Sequence, residues 1–392
     1  MTKYLVVFGT RPEAVKMAPI LRALADEPHV TTIACCTGQH EELLRPVLSL
    51  FQITPDYNLR VMSQNQQLSG LTCVLMTELE KVMKTERPDK VLVQGDTTTA
   101  MVASMAAAYL KIPVGHIEAG LRSHNMLEPF PEELNRRIID VIADYFFAPT
   151  AMERNDLLRE GVPAERIYVT GNTAIDALRH VAAMPFCPDG TALAALPSTS
   201  KRIILATVHR RENHGEPLES ICAAIRLIAN QYKDEAHIVI PVHPNPNVTA
   251  TVHRCLGGIS NLSLTPPLGY QELVTVAKMA YFALTDSGGL QEELTWLGKP
   301  LLVLRNVTER REAVEAGAAI LVGTEMQTIV SAAVQLMENE ILYQRMAKPR
   351  ELFGDGTAAQ QIVSVLEGRT AWLPSAATVA TMPGVITMQP AA

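Results

Sequence analysis

The sequence predicts an α/β protein with two Rossmann-like domains that face a cleft. Apolar runs typical of strands alternate with segments of helical spacing, this alternation occurs in two series of similar size, and polar or glycine-rich strings follow several predicted strands. Alternating β and α units build mostly parallel sheets with right-handed crossovers. In such sheets, ligands bind in the crevice outside the carboxyl ends of the strands.

The first series of strands is rich in β-branched and aromatic residues without strict alternation, which is typical of strands covered on both faces. Segments between these strands, such as residues 12–25 and 70–84, place apolar residues at helical spacing. The predicted strands of this series are residues 4–8, 31–36, 90–93, 114–117, 145–148 and 167–170.

The composition changes over residues 184–200 to Pro, Ala, Ser, Gly and Thr, which indicates a surface connection. We therefore predict a first domain at 1–183 and a second at 184–368, whose last helix can pack back on the first domain. Residues 369–392 are predicted to form a poorly ordered tail. The predicted strands of the second series are residues 202–208, 237–242, 262–265, 281–285, 301–304 and 319–322.

Composition excludes several classes of protein. The 392 residues are 47% hydrophobic and 19% charged, as in ordinary globular proteins. The net charge of −7 argues against a general nucleic-acid binder, so an anionic ligand would need a local cationic pocket. The six cysteines include no Cys-x-x-Cys pair, and no metal site is predicted. Because the first three residues lead directly into a strand and no apolar run reaches the length of a membrane span, we expect a cytoplasmic protein with reduced thiols.

The string Gly-Thr-Arg-Pro-Glu that follows the first strand predicts an anion site. Pro12 suits the first position of a helix, whose free amides together with Arg11 would attract an anion. Lys16 lies about one turn further on and could reach the same space. The alternative is a simple βα turn with solvated charges. A dinucleotide-binding Gly-x-Gly-x-x-Gly is absent here, so a nicotinamide dehydrogenase loses most of its support.

Three carboxylates in the first half are candidates for acid–base chemistry. Asp96 could be a helix cap or a catalytic group, and the sequence favours neither. Glu118 ends an apolar strand, where burying a carboxylate is costly unless it has a function or a charged partner. The alternative to a functional role is a structural ion pair with Arg122. Glu132 lies in a first helical turn, where acids commonly complement the helix dipole. His116 is predicted to be a hydrogen-bonded core histidine.

Two histidines follow strands of the second half. His209 can move protons near neutral pH, and Arg210 beside it could hold phosphate or pair with Glu212. His243 follows the next strand in a proline-rich loop.

The strongest phosphate signal is the turn of Ser287, Gly288 and Gly289. Small residues let the backbone approach a diphosphate, and the following helix presents its free amides. Glu293, one turn inside that helix, is placed to accept hydrogen bonds from ribose hydroxyls. A helix entry without a ligand is the alternative. Arg310 lies in a second cationic loop.

Taken together, these strings resemble the non-hydrolysing bacterial UDP-N-acetylglucosamine 2-epimerases over about residues 5–356. The resemblance implies a glycosyltransferase-B-like fold, usually a homodimer, that interconverts UDP-GlcNAc and UDP-ManNAc without NAD or another cofactor. UDP would be eliminated to give a 2-acetamidoglucal and then added back. The strings that carry the resemblance include Gly-Thr-Arg-Pro-Glu-Ala, Gly-Asp-Thr-Thr-Thr, Glu-Ala-Gly-Leu-Arg, Pro-Glu-Glu-x-Asn-Arg, Thr-Gly-Asn-Thr, His-Arg-Arg-Glu and Thr-Asp-Ser-Gly-Gly.

The same resemblance implies roles for individual residues, although it leaves open which acid serves which face of the sugar. A second UDP-GlcNAc bound as an activator also stays an open question. The catalytic group would be Asp96, Glu118, Glu132 and His209; substrate would be held by Arg11, Lys16, Ser287, Gly288, Gly289, Glu293 and Arg310; an activator site would include Gln39, Arg210 and His243.

Three rival functions remain at this point: a hydrolysing epimerase that releases ManNAc and UDP, a glycosyltransferase on the same fold, and a non-catalytic sensor of sugar nucleotides.

Overall fold

The computed structural model describes residues 1–38, 41–63, 66–196 and 201–369. The strands of these residues form two parallel sheets, so the predicted α/β class is confirmed. The strands are β1 Thr2–Phe8, β2 Val30–Cys36, β3 Tyr57–Asn58, β4 Lys90–Gln94, β5 Val114–Ile117, β6 Tyr145–Ala148, β7 Ile167–Val169, β8 Arg202–Thr207, β9 Ala236–Pro241, β10 Leu262–Thr265, β11 Ala280–Thr285, β12 Leu301–Val303 and β13 Ala319–Leu321.

Helices connect successive strands in both sheets. They are α1 Arg11–Ala25, α2 Glu41–Leu50, α3 Leu68–Glu86, α4 Thr98–Tyr109, α5 Glu132–Ile142, α6 Ala151–Arg159, α7 Thr173–Ala182, α8 Glu216–Gln231, α9 Pro246–Leu256, α10 Tyr270–Met279, α11 Gly288–Trp296, α12 Arg311–Glu315, α13 Met326–Glu338, α14 Glu340–Met346 and α15 Ala358–Leu366.

We call β1–β7 with α1–α7 the N-terminal lobe and β8–β13 with α8–α14 the C-terminal lobe. The apolar runs predicted as strands are buried because helices cover both faces of each sheet. In the N-terminal lobe, α1, α7 and α15 pack on one face, and α3 and α4 on the other. The last helix, α15, thus lies on the N-terminal lobe although it follows the C-terminal one.

Sheet topology brings the predicted site strings together. The first sheet has the order β3-β2-β1-β4-β5-β6-β7, and the second β10-β9-β8-β11-β12-β13. The strand order therefore reverses between β1 and β4 and between β8 and β11, the points where α/β sheets bind ligands. The loops after these strands touch: Thr97 Oγ1 donates to Glu13 Oε1 at 2.6 Å, and the His209 amide donates to Asp286.

Some parts of the chain differ from the prediction, and some predictions concern residues that the structure does not describe. The two-residue strand β3 was not predicted. The connection at 184–200 is described to residue 196, and it is not purely superficial because Leu193 is buried in the core of the C-terminal lobe. Of the predicted tail, residues 370–392 lie outside the described residues. The domain limits at 183 and 368 stay a prediction.

Candidate functional site

Glu118 follows β5 in a sharp turn that directs its carboxylate into the space between the lobes. Its φ of +65° lies in the left-handed region, which is uncommon for a residue with a side chain. Lys16 Nζ donates to both carboxylate oxygens, at 2.6 and 2.7 Å, and the Gln94 amide also donates to Oε2. Lys16 is only 13% exposed in its side chain, so the alternative of solvated charges at this turn is wrong.

Residues from both lobes complete the surroundings of Glu118. Arg310 reaches Glu118 Oε1 at 3.4 Å and forms a closer pair with Glu292, whose Oε1 lies 2.6 Å from the Arg310 guanidinium. Asn172 donates to Glu118 and to Glu292. Burial alone would raise the pKa of Glu118, but Lys16 and Arg310 outweigh it and lower this pKa to about 2.

The alternative that Glu118 forms a structural ion pair with Arg122 is wrong. The buried side chain of Arg122 instead pairs with Asp140 on α5 and with Glu160, both at 2.6 Å. His116 lies in the same network, with Nδ1 2.6 Å from Asp140 Oδ1 and Nε2 2.8 Å from the Gly95 carbonyl. The prediction of a hydrogen-bonded core histidine is confirmed.

Asp96 does not cap the helix that follows it. Thr97 is the N-cap of α4 and accepts from the Ala100 amide, so the capping alternative for Asp96 is wrong. The Asp96 carboxylate is 26% exposed and accepts from Arg136 at 2.5 Å. Asn135 holds the loop itself by donating to the Asp96 carbonyl at 2.8 Å.

The two acids at the start of α5 have different surroundings. Glu133 is fully buried and accepts hydrogen bonds from the Ser123 amide and from Arg137, which gives it a structural role. Glu132, the predicted catalytic acid, has its Oε2 shielded from solvent and without a hydrogen-bond partner among the described residues. This oxygen is therefore available to a ligand or a proton.

His209 follows β8 and is held by Asp286, which follows the neighbouring strand β11. His209 Nδ1 lies 3.2 Å from Asp286 Oδ1, and the His209 backbone amide donates to Oδ2 at 3.0 Å. Burial lowers the pKa of His209, and the nearby Asp286 only partly opposes this. The neutral ring is therefore favoured, and it stacks on His243 with centroids 5.9 Å apart.

The turn of Ser287, Gly288 and Gly289 forms the N-terminus of α11, as predicted. Ser287 is the N-cap of this helix. Two guanidinium groups flank the turn: a methyl group on Gly288 would lie 3.5 Å from Arg210 Nη2 and 3.5 Å from Arg310 Cζ. A helix N-terminus between two arginines attracts anions, and diphosphates in particular.

Glu293 lies further along this helix, and Arg11 is one of its charged neighbours. Glu293 is buried and accepts from Tyr270 Oη at 2.9 Å; burial raises its pKa to about 7. Arg11 crosses from the N-terminal lobe and donates to the Leu268 carbonyl at 2.9 Å. Burial lowers the pKa of Arg11, and Glu293 opposes this change.

The site therefore combines groups that can move protons with a cradle for an anionic leaving group. Among the residues that the structure describes, no three His, Cys, Asp or Glu side chains are grouped so that they could hold a metal ion. No described helix is long and apolar enough to cross a membrane.

Comparison with known proteins identifies the family. A family model described as UDP-N-acetylglucosamine 2-epimerase matches residues 22–367. The chain belongs to this family. The UDP-N-acetylglucosamine 2-epimerase of Yersinia pestis is 48% identical over 370 residues, covering 93% of this chain and 98% of the relative.

Solved structures of 2-epimerases have the same fold. The enzyme from Neisseria meningitidis bound to UDP-GlcNAc matches with a TM-score of 0.89 and 44% identity, covering 94% of this chain and all of the other. The S. aureus MnaA–UDP co-structure matches with a TM-score of 0.88 and 42% identity, covering 96% of this chain and 99% of the other. The fold is the glycosyltransferase-B-like arrangement of two Rossmann-like domains, as the resemblance implied.

Within this 2-epimerase site, several central residues were not predicted. Asn172 lies in the string Thr-Gly-Asn-Thr and Glu292 directly precedes Glu293, but the contact that joins them runs between the two lobes. Asp286 and Arg136 orient predicted residues. Their positions in the sequence could have indicated them, because Asp286 directly follows a strand and Arg136 lies about one turn into a helix. Gln39, predicted for an activator site, lies outside the described residues.

Proposed function

We propose that this chain interconverts UDP-GlcNAc and UDP-ManNAc by eliminating UDP and adding it back. The C2 proton of the sugar is not adjacent to a carbonyl carbon, so its direct removal is very costly. Eliminating UDP from C1 while the C2 proton leaves avoids a free carbanion and gives 2-acetamidoglucal. Readdition of UDP with protonation on the other face inverts C2.

One observation carries the proposal: Arg310 lies between the carboxylate of Glu118 and the glycine turn at Gly288. A cation in this position can stabilise a departing diphosphate next to a group that can move the C2 proton. Acid–base groups contribute about 10²- to 10⁴-fold, so stabilisation of the leaving group must supply a large share of the acceleration.

The proposed roles are those that the family resemblance implied for these residues. Asp96, Glu118, Glu132 and His209 supply the proton-handling groups, with their assignment to faces of the sugar left open. Arg11 and Lys16 steady the substrate, Ser287, Gly288, Gly289 and Arg310 hold the diphosphate, and Glu293 holds the ribose. The orphan oxygen of Glu132 and the neutral ring favoured for His209 support these assignments.

The names of relatives also support the substrate. The Neisseria meningitidis structure contains UDP-GlcNAc, and the S. aureus structure contains UDP. A homodimer in the cytoplasm stays a prediction from the sequence and the resemblance. An activator site at Gln39, Arg210 and His243 stays a prediction as well.

Incubation with UDP-GlcNAc alone, followed by NMR, tests the proposal. We expect UDP-ManNAc to form without an acceptor and without free sugar. Free ManNAc as the main product would establish a hydrolysing epimerase instead, which the names of the relatives do not favour. An unchanged pool of UDP-GlcNAc would point to a glycosyltransferase that lacks its acceptor or to a sensor.

A further inference from the structure

Glu292 is a buried carboxylate in the middle of α11 to which neither the sequence nor the proposed mechanism assigns a role. It is 2% exposed. Its Oε1 accepts from Arg310 Nε at 2.7 Å and lies 2.6 Å from Arg310 Nη2. Its Oε2 accepts from Asn172 Nδ2 at 2.7 Å. Both oxygens are therefore engaged, one within the C-terminal lobe and one across to the N-terminal lobe.

Asn172 ties the two lobes together with a single amide group. Its two amide hydrogens go to two carboxylates, Glu118 Oε1 at 2.9 Å and Glu292 Oε2 at 2.7 Å. Its carbonyl oxygen accepts from the Ala174 amide at 3.0 Å and so caps α7. Because each polar atom of the side chain has a partner, the orientation of the amide is determined.

Arg310 is the cation that this arrangement holds. Glu292 binds it from one side, while its Nη2 lies 3.4 Å from Glu118 Oε1. The same guanidinium lies against the glycine turn at Gly288. Without Glu292, Arg310 would be free to rotate toward Glu118 or toward an anion at the turn.

We propose that Glu292 is a positioning residue which, together with Asn172, holds Arg310 between Glu118 and the glycine turn and so couples departure of the diphosphate to proton transfer by Glu118. This inference rests on the proposed function.

The charges of the cluster explain how the coupling works. Two cations, Lys16 and Arg310, balance two carboxylates, Glu118 and Glu292. When a diphosphate enters at the turn, it shares the charge of Arg310, which then stabilises the ionised form of Glu118 less. Glu118 becomes a better proton acceptor once substrate is bound. Glu292 keeps Arg310 from leaving Glu118 altogether for the phosphate.

The variant Glu292→Gln tests this role because it keeps the shape and removes the charge. We expect kcat to fall at least tenfold, since small misplacements of such groups are costly. We expect UDP to bind as tightly as in the wild type or more tightly, because a negative charge beside the diphosphate is lost. The acidic limb of the pH profile of kcat should move to lower pH, since Glu118 loses a neighbouring negative charge.

A second variant tests the same arrangement in case Glu292→Gln fails to fold. Asn172→Ser removes the amide bridge but keeps a good helix N-cap. It should also lower kcat. The fold-decrease in kcat of the double variant should be smaller than the product of the two single decreases. Glu219→Gln is the control, because it removes an ion pair of 2.6 Å with Arg254 in which both side chains are more than half exposed, and it should leave kcat unchanged.

The outcomes are separable. An unchanged kcat or pH profile in Glu292→Gln, or a loss of UDP affinity in parallel with kcat, would overturn the positioning role. If the wild type converts no UDP-GlcNAc, the proposed function fails, whereas UDP binding to Glu292→Gln still tests the arrangement: weaker binding contradicts it, and equal or tighter binding supports it.

Discussion

The carboxylate of Asp286 orients His209 at the carboxyl end of β8. Asp286 is fully buried and accepts hydrogen bonds from the backbone amides of His209 and Arg210 and from the Asn213 amide, while its Oδ1 lies 3.2 Å from His209 Nδ1. The carboxylate thereby determines both the course of the loop and the direction of the imidazole ring.

Asp286→Asn should therefore impair catalysis through His209. An amide has one acceptor oxygen for several donors, so we expect kcat to fall by about 10²- to 10⁴-fold and stability by about 1–3 kcal/mol. Asp56→Asn is the control, because Asp56 also accepts from a backbone amide, that of Ala34, at 2.8 Å but away from the site. An Asp286→Asn enzyme with the kcat of the wild type would show that His209 does not need this partner.

Asp96→Asn should separate catalysis from binding. Arg136 is buried but keeps Glu133 as a partner at 3.3 Å, so losing its pair with Asp96 should lower stability by about 1–3 kcal/mol. Turnover should drop by about 10²- to 10⁴-fold, while UDP affinity, measured by calorimetry, stays within a few-fold. If UDP binding collapsed instead, Asp96 would be a structural residue.

Gly288→Ala should weaken UDP binding without disturbing the fold. The added methyl group would meet Arg210 and Arg310 at ordinary contact distance, so the chain can accommodate it, but it would occupy the space of a phosphate. Loss of one or two hydrogen bonds to a charged group costs about 1.5–3 kcal/mol, or roughly a tenfold to hundredfold rise in Kd. Gly70→Ala, whose new methyl group meets, among the described residues, only the Gln66 side chain at 3.8 Å, is the control and should bind UDP normally.

A buried acid, Glu153, and a partly buried acid from the other lobe, Glu312, share one hydroxyl group. Thr150 Oγ1 lies 2.6 Å from Glu153 Oε2 and 2.6 Å from Glu312 Oε1, yet the hydroxyl has a single hydrogen. A proton on Glu153 would let both contacts form as hydrogen bonds. Burial first, and then repulsion from Glu312, raise the pKa of Glu153 to about 7, although Arg310 opposes this.

The stability of the protein should depend on pH through Glu153. The pKa of Glu153 is higher in the folded than in the unfolded protein, so the stability it supplies is fully present below pH 4.5, where the group is protonated in both states. This stability is lost as pH rises from about 4.5 to about 7. Urea unfolding of the wild type should show this loss, and Glu153→Gln should show a flatter curve over the same range. Parallel curves for the two proteins would contradict the shared proton.

The sequence predicted the strands well because each of them, β3 excepted, is a run of three to seven residues rich in apolar and β-branched side chains. It missed β3 because two residues carry no such pattern. It also offered Arg122 as an alternative partner for Glu118, because the two residues are close in the chain. The left-handed turn at Glu118 instead directs the carboxylate to Lys16 on α1, a contact between residues far apart in sequence. The roles of Asn172 and Glu292 depend on contacts between lobes, which local patterns do not contain.

Turnover of UDP-GlcNAc in heavy water, followed by NMR, tests the central claim most directly. If UDP leaves and the acids of the cleft exchange the C2 proton with solvent, both recovered sugar nucleotides should carry deuterium at C2. Epimerisation that leaves hydrogen at C2 throughout would contradict the account.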